Sequence, residues 1–155
     1  MRNSHAWLMR VESVSNRPKE EMTMNQSSLT AATRMTGRVL MSAIFVMAGI
    51  SKLGSYAATQ GYMESMGVPG ILLPLVILLE LGGGVTVLLG WQTRISAFLL
   101  AGFCIVSALI FHANFGDQMQ SIHFMKNLAM AGGLLFLVAD GAGVWSLDAR
   151  RQANR

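Results

Sequence analysis

Cysteine and charge are both scarce in this sequence, and each scarcity excludes a class of protein. Cys104 is the only cysteine, which excludes an intrachain disulfide, a CxxC redox pair and a thiolate metal cluster. Charged residues make up 13% of the chain and hydrophobic residues 52%, whereas soluble domains carry about 25% charged residues. So few charges cannot cover the surface of a soluble globule, and the composition therefore favours a lipid environment.

Motifs of common catalytic sites are also missing. The sequence has no HExxH, GxGxxG or P-loop motif and no recognisable Ser-His-Asp set, so it gives no sign of catalysis by this chain alone. The pI of about 9.8 does not indicate nucleic acid. The basic residues lie at the chain ends and between apolar runs rather than along one stripe.

Four apolar runs are present, at residues 37–53, 70–90, 95–113 and 124–140. A membrane-spanning helix needs about 20 predominantly apolar residues, within a range of about 17–25. All four runs reach that range, so the sequence predicts an all-α membrane protein with a bundle of four transmembrane helices. Arg38 and Lys52 bracket the first run, where their long side chains are expected to snorkel to the two interfaces.

The remaining segments divide the chain into three parts. Residues 1–35 are polar without a sustained apolar period, which predicts a disordered N-terminal tail, and Met22 or Met24 is an alternative start. Residues 36–149 form the predicted membrane domain, and residues 150–155 a basic C-terminal tail. The long connection at residues 54–69 suits a segment that lies in the membrane interface.

Lys and Arg counts predict the orientation of the bundle in the membrane. With four spans, both termini share one side with the turn at residues 91–94. That side holds 10 of the 12 basic residues, and only Lys52 and Lys126 lie on the other. By the positive-inside rule both termini are therefore expected to be cytoplasmic. The ten are Arg2, Arg10, Arg17, Lys19, Arg34, Arg38, Arg94, Arg150, Arg151 and Arg155.

Glu80 is the most informative residue, because it is the only charge in the second run and lies at its centre. A carboxylate at that depth costs a few kcal/mol unless it is paired or protonated. Gly83 and Gly84 lie on the same helical face and permit close helix packing, so Glu80 is expected to point into the bundle. Two interpretations stand: a proton- or ligand-binding carboxylate, or a buried pair that only fixes helix register.

Four further polar residues fall on the non-cytoplasmic side: Lys52, His112, Lys126 and Asn127. Together with Glu80 as a floor, they predict a polar pocket open to that side. The alternative is two snorkelling lysines and a capping asparagine, which is the commoner situation for the lysines alone. His112 and His123 with Met119 and Met125 could bind copper, but their spacing matches no known site, so no metal is predicted.

Several short motifs in order resemble the DoxX family of small bacterial membrane proteins, over about residues 37–149. They are Lys52-Leu53, Gly67-Val68-Pro69, Glu80-Leu81-Gly82-Gly83, Gly90 with Thr93-Arg94, Lys126-Asn127-Leu128-Ala129, Gly132-Gly133, and Gly141 with Ser146-Leu147-Asp148. The resemblance implies a four-helix inner-membrane bundle. The positions that mark the family correspond here to Lys52, Glu80, Arg94, Lys126 and Asn127.

On function, the resemblance implies an accessory subunit of a membrane redox or stress-response system. Because the chain has one cysteine, a redox role would require a bound quinone or a membrane or soluble partner, and the cofactor is not specified. The alternative is a small proton-coupled transporter that acts as a homo-oligomer through Glu80. A structural protein without a ligand also stays open.

Overall fold

A computed structural model describes the backbone of residues 4–155 and the side chains of residues 26–155. The described backbone contains helices and no strand. In chain order the helices are α1 (Ser4–Gly54), α2 (Tyr56–Ser65), a short 3-10 turn (Gly70–Leu72), α3 (Leu73–Leu89), α4 (Thr93–Phe111), α5 (Gln118–Asp140) and α6 (Leu147–Ala153).

Four of these helical segments in the described residues are long and apolar enough to cross a membrane: Gln26–Gly54, Gly70–Leu89, Thr93–Phe111 and Gln118–Asp140. This confirms the prediction of four spans. α1 packs against α3, α3 against α4, and α4 against α5, with a smaller contact between α1 and α5. Large apolar side chains on the outside of all four spans, such as Leu40, Leu78, Phe98 and Phe136, are exposed and are suited to contact with lipid.

The first and fourth spans begin earlier than the apolar runs predicted. Helix α1 includes residues 26–35, where the sequence predicted a disordered tail, while the side chains of the first 25 residues of that tail lie outside the described part. No proline or glycine occurs in residues 26–36, and the hydroxyls of Thr30 and Thr33 each donate 2.9 Å hydrogen bonds to the carbonyl four residues earlier. The helix itself satisfies these polar groups, so hydropathy alone underestimates its length. At α5, the carboxylate of Asp117 accepts a hydrogen bond from the backbone N–H of Met119 and caps the helix before the apolar run begins.

The core lies where α3, α4 and α5 meet α1. Leu100, Leu134 and Val87 are fully buried there, and Cys104 lies among them rather than facing lipid. The connection between α1 and α3 is partly helical: α2 buries Met63 against Leu73 and Ile77. Part of the segment predicted to lie in the interface therefore packs on the end of the bundle.

The opposite end of the bundle carries the turn between α3 and α4, the end of α5, and α6. We call it the terminal end and the other the α2 end. Gly90 ends α3 in the left-handed conformation (φ 68°), and a Cβ at this position would overlap Arg38 and Ser146. Glycine is therefore required at this turn by both backbone conformation and space. Residues 150–153 of the predicted basic tail belong to α6.

Candidate functional site

Glu80 lies inside the bundle, as its glycine-bearing face predicted. It is the eleventh of the 20 residues of the span Gly70–Leu89, and 3% of its surface is exposed. Two close approaches between α1 and α3 flank it. A Cβ at Gly49 would overlap Leu81, and a Cβ at Gly84 would lie 3.0 Å from Cγ2 of Val46. These glycines bring the backbones of α1 and α3 together and so fix the register around Glu80.

Lys52, from the last turn of α1, is the partner of Glu80. Its Nζ lies 2.8 Å from Oε1, to which it donates a hydrogen bond, and 2.8 Å from Oε2. Oε2 has no hydrogen bond with good geometry to any described residue, so its contact with the ammonium is purely ionic. The expectation that Lys52 snorkels to the interface therefore does not describe this structure, because the side chain reaches back towards Glu80.

The side chains of Lys52 and Glu80 differ in how much of their surface is exposed. The Lys52 side chain is 26% exposed, whereas that of Glu80 is 4% exposed. An ammonium group has three N–H donors, and only one of them is used in a hydrogen bond to Glu80. The arrangement is a neutral pair within the spans, in which the carboxylate is enclosed and the ammonium retains hydrogen-bonding capacity towards the α2 end.

The histidines and Asn127 form a second cluster near the α2 end. Nδ1 of His112 lies 2.8 Å from Oε1 of Gln120, and the rings of His112 and His123 are 5.1 Å apart. The side-chain amide of Asn127 donates a 3.0 Å hydrogen bond to the carbonyl of His123, one turn earlier in α5. The side-chain amide of Asn127 thus makes a hydrogen bond within α5 rather than to another helix. Within the described residues no group of three or more potential metal ligands is found.

Lys126 stands apart from both groups. Its side chain is exposed, and no hydrogen bond or ion pair joins it to another described residue. A cavity of about 600 Å³ lies at the terminal end, and neither Glu80 nor Lys52 lines it. Of the five predicted site residues, the structure thus joins Lys52 to Glu80, places His112 and Asn127 around His123, and leaves Lys126 separate.

Sequence reasoning missed Arg38, which was expected to snorkel. Only 3% of its surface is exposed. Its guanidinium donates 2.8 Å hydrogen bonds to the carbonyls of Ala142 and Trp145, while its Nε has no hydrogen-bond partner among the described residues. Arg38 therefore fastens the segment after α5 to α1. The one available signal was its position inside the apolar run, which a snorkelling side chain explains equally well.

Asp148 joins α6 to the turn between α3 and α4 at the terminal end. Its carboxylate accepts hydrogen bonds from the backbone N–H groups of Gln92 (2.9 Å) and Thr93 (3.0 Å) at the start of α4, and its own N–H donates to the carbonyl of Gly90 (2.8 Å). Partial burial raises the pKa of Asp148, but these hydrogen bonds and the charge of Arg151 outweigh it, so the pKa lies below its ordinary value.

Comparisons with known proteins agree with this architecture. The DoxX family model matches residues 33–113. The chain is 50% identical over 114 residues to inner membrane protein YqjF of Escherichia coli K12, covering 74% of this chain and 88% of that protein. It is 32% identical over 123 residues to inner membrane protein YphA of the same organism, covering 75% and 88% respectively.

No solved structure matches the chain. The family model covers the first three spans up to residue 113, including both members of the Lys52–Glu80 pair. The match to YqjF extends the similarity over most of the length of both proteins. On this basis the chain belongs to the DoxX family of integral inner membrane proteins.

Proposed function

We propose that this protein is an accessory subunit of a membrane redox or stress-response system, and that it binds a quinone-type ligand at Lys52. The observation that supports this is the Lys52–Glu80 pair. A buried carboxylate holds an ammonium group within the spans, and the ammonium keeps N–H donors for a further acceptor. A quinone carbonyl oxygen is such an acceptor, and its apolar ring and tail enter the protein from lipid.

The role as a subunit rests on the chemistry of the chain. Its one cysteine, Cys104, is buried in the core, and one thiol cannot form a dithiol pair within the chain. Electrons would therefore pass through a bound quinone or through a partner. The lipid bilayer is the first partner, and a membrane or soluble oxidoreductase is the second. His112, Lys126 and Asn127 near the same end are further candidates for ligand contact.

Native purification tests this proposal. The protein is extracted in mild detergent, and bound quinones and copurifying proteins are identified by mass spectrometry. We expect bound quinone in the wild type, and on the order of tenfold less in Lys52→Met because one charge-assisted hydrogen bond is lost. Arg150→Gln, which removes a cation at the terminal end, is the control and should retain the ligand. Quinone content that is the same in Lys52→Met and wild type contradicts the proposal.

A proton-coupled transporter is the second candidate, and one observation favours it: Glu80 is the only carboxylate inside the four spans rather than at their ends. In this case Glu80 exchanges a proton as its contact with Lys52 breaks and reforms during transport. Substrate efflux that is lost in Glu80→Gln and retained in Glu80→Asp supports the transporter. Efflux that is unchanged in Glu80→Gln excludes it.

We also propose an orientation of the helix bundle in the membrane. Both termini are cytoplasmic, because most of the Lys and Arg residues whose side chains the structure describes lie towards the terminal end, and only Lys52 and Lys126 lie towards the α2 end. A C-terminal green fluorescent protein fusion should fluoresce, and a C-terminal alkaline phosphatase fusion should be inactive. The reverse pattern would place the termini outside and invert the side on which Lys52 is reached.

A further inference from the structure

The cavity of about 600 Å³ at the terminal end is rich in arginine. Arg34 of α1, Arg94 of α4 and Arg151 and Arg155 at the end of the chain line it, together with Asp140 and Asp148. Because the cavity lies where the spans end, we expect it at the level of the lipid headgroups.

Two arginines, Arg34 and Arg94, lie against the loop after α5. Gly141 and Gly143 have positive φ angles, of 77° and 79°. A Cβ at Gly141 would lie 3.5 Å from Nε of Arg94, and a Cβ at Gly143 would lie 3.2 Å from Cδ of Arg34. The side chains of Arg34 and Arg94 therefore rest against the bare backbone of this loop.

The guanidinium groups in the cavity form no direct salt bridge within the described residues, although the charge of Arg151 acts on Asp148. No ion pair joins any of these arginines to an acidic side chain in the part of the chain that the structure describes. The carboxylate of Asp148 is already occupied by the N–H groups of Gln92 and Thr93. Guanidinium groups bind phosphate through two parallel hydrogen bonds, so the cavity suits a phosphate group better than a lone carboxylate.

A second cavity, of about 450 Å³, adjoins the first. The two share Val144 and Ser146, and Met35, Leu89 and Leu147 give the second an apolar lining. An anion-binding site beside an apolar cavity matches the two parts of a phospholipid, its phosphate headgroup and its acyl chains. Basic pockets between transmembrane helices are a common form of lipid headgroup site.

We propose that these two cavities bind one anionic phospholipid, with its phosphate between Arg34 and Arg94 and an acyl chain along Leu89 and Leu147. A soluble phosphate compound would use the arginines but not the apolar cavity. The site is distinct from the Lys52–Glu80 pair, and it does not depend on the proposed redox role.

Fluorescence quenching tests this site. Trp145 lines the second cavity, and replacing Trp7 and Trp91 with Phe leaves it as the only tryptophan. The protein is placed in vesicles of phosphatidylcholine with increasing brominated phosphatidylglycerol, or with brominated phosphatidylcholine as the zwitterionic comparison. We expect Trp145 to be quenched at a lower mole fraction of the anionic lipid, and Arg34→Gln/Arg94→Gln to weaken that preference on the order of tenfold or more.

Matched variants separate the site from general charge effects. Lys126→Gln removes a cation at the α2 end and should leave the preference intact. Arg94→Lys keeps the charge but loses the two-pronged hydrogen bond, and should give an intermediate value. Thermal unfolding establishes that each variant is folded. Equal quenching by the two lipids, or an unchanged preference in the double glutamine variant, overturns the proposal. Displacement of the anionic lipid by inorganic phosphate at equal ionic strength overturns the lipid as the ligand and assigns the arginines to a soluble phosphate compound.

Discussion

The carboxylate of Asp148 accepts a hydrogen bond from the backbone N–H of Thr93, a residue 55 positions earlier in the chain. A helix is usually capped by the residue that precedes it. Here the residue before α4 is Gln92, which has a positive φ of 51° and makes no side-chain cap. The C-terminal segment supplies the missing acceptor instead, which joins the start of α4 to the start of α6.

Removing this cap should destabilise the protein. Asp148→Asn keeps the size of the side chain but loses the negative charge and one acceptor oxygen, and caps of this kind contribute about 0.5–2 kcal/mol. We expect a lower unfolding temperature in detergent, measured by circular dichroism. Asp140→Asn is the control, since no hydrogen bond of the Asp140 side chain to a helix terminus is seen among the described residues. Equal midpoints for the two variants would show that the cap contributes nothing.

The same carboxylate should make stability depend on pH. Because the folded pKa of Asp148 lies below its ordinary value, the folded state binds protons less readily than the unfolded state, and stability rises with pH across this titration. The contribution is complete above the unfolded pKa of about 3.9 and disappears as the pH falls through the folded pKa. The difference in unfolding midpoint between wild type and Asp148→Asn should therefore shrink at acid pH. A difference that is constant from neutral to acid pH contradicts this assignment.

The two members of the Lys52–Glu80 pair should respond unequally to substitution. Lys52→Met leaves a buried carboxylate without a counter-charge, and breaking a fully buried pair costs about 3–5 kcal/mol. We expect about 1–3 kcal/mol, because Lys52 is partly exposed. Glu80→Gln should cost less, since the freed ammonium can move to the interface. Unfolding by sodium dodecyl sulfate measures both, and the double variant should recover part of the loss. A larger loss in Glu80→Gln than in Lys52→Met would reverse this explanation.

Arg38 should hold the C-terminal segment in place. Arg38→Met removes both donors from the carbonyls of Ala142 and Trp145, and each unsatisfied buried group costs about 1–3 kcal/mol. We expect faster proteolysis after residue 141 as well as lower stability, detected by mass spectrometry of the fragments. Lys126→Met, at the α2 end and exposed, is the control, because Lys126 makes no contact with the segment after residue 141 in the described structure. A proteolysis pattern identical to that of wild type would indicate that other contacts hold the segment.

The glycines of α3 should differ in their tolerance of alanine. At Gly84 a Cβ would lie 3.2 Å from the backbone nitrogen of Val46, which cannot move away independently, whereas at Gly82 the nearest atom is Cδ1 of Leu78 at 3.9 Å. Overpacking lowers the free energy of unfolding by about 1–3 kcal/mol, whereas the higher helix propensity of alanine raises it by about 1 kcal/mol. Gly84→Ala should therefore lower the unfolding midpoint, while Gly82→Ala should leave it unchanged or raise it. Equal effects in the two variants would mean that α1 does not approach α3 closely at Gly84.

The sequence predicted the spans well because lipid imposes a simple rule of length and apolarity. It underestimated α1 because Thr30 and Thr33 satisfy their hydroxyls within the helix, which a hydropathy count treats as polar cost. The burial of Glu80 followed from the glycines beside it. The sequence placed Lys52 in one predicted pocket with Glu80, but it did not single out Lys52 among the candidates as the ion-pair partner. That choice depends on the register between α1 and α3, which packing of Gly49 on Leu81 and Gly84 on Val46 determines.

The contacts of Arg38 could not be predicted from the sequence for a different reason. Its partners are main-chain carbonyls, which every residue carries, so no side-chain pattern in residues 141–146 reveals them. The sequence does not reveal the capping of α4 by Asp148 for a similar reason, since this carboxylate binds backbone N–H groups of a turn that is distant in the chain. Contacts that use the backbone of another segment leave little trace in a single sequence.

The hydrogen bonds of Arg38 also set an order of events during biosynthesis. The ribosome makes Arg38 early and its two carbonyl partners more than a hundred residues later. Until the last span has entered the bilayer, this guanidinium has to remain hydrated or among the phosphates at the membrane surface. Only a chain that already contains the fourth span and the loop after it can draw this guanidinium inward, so this end of the bundle closes after the fourth span has been inserted.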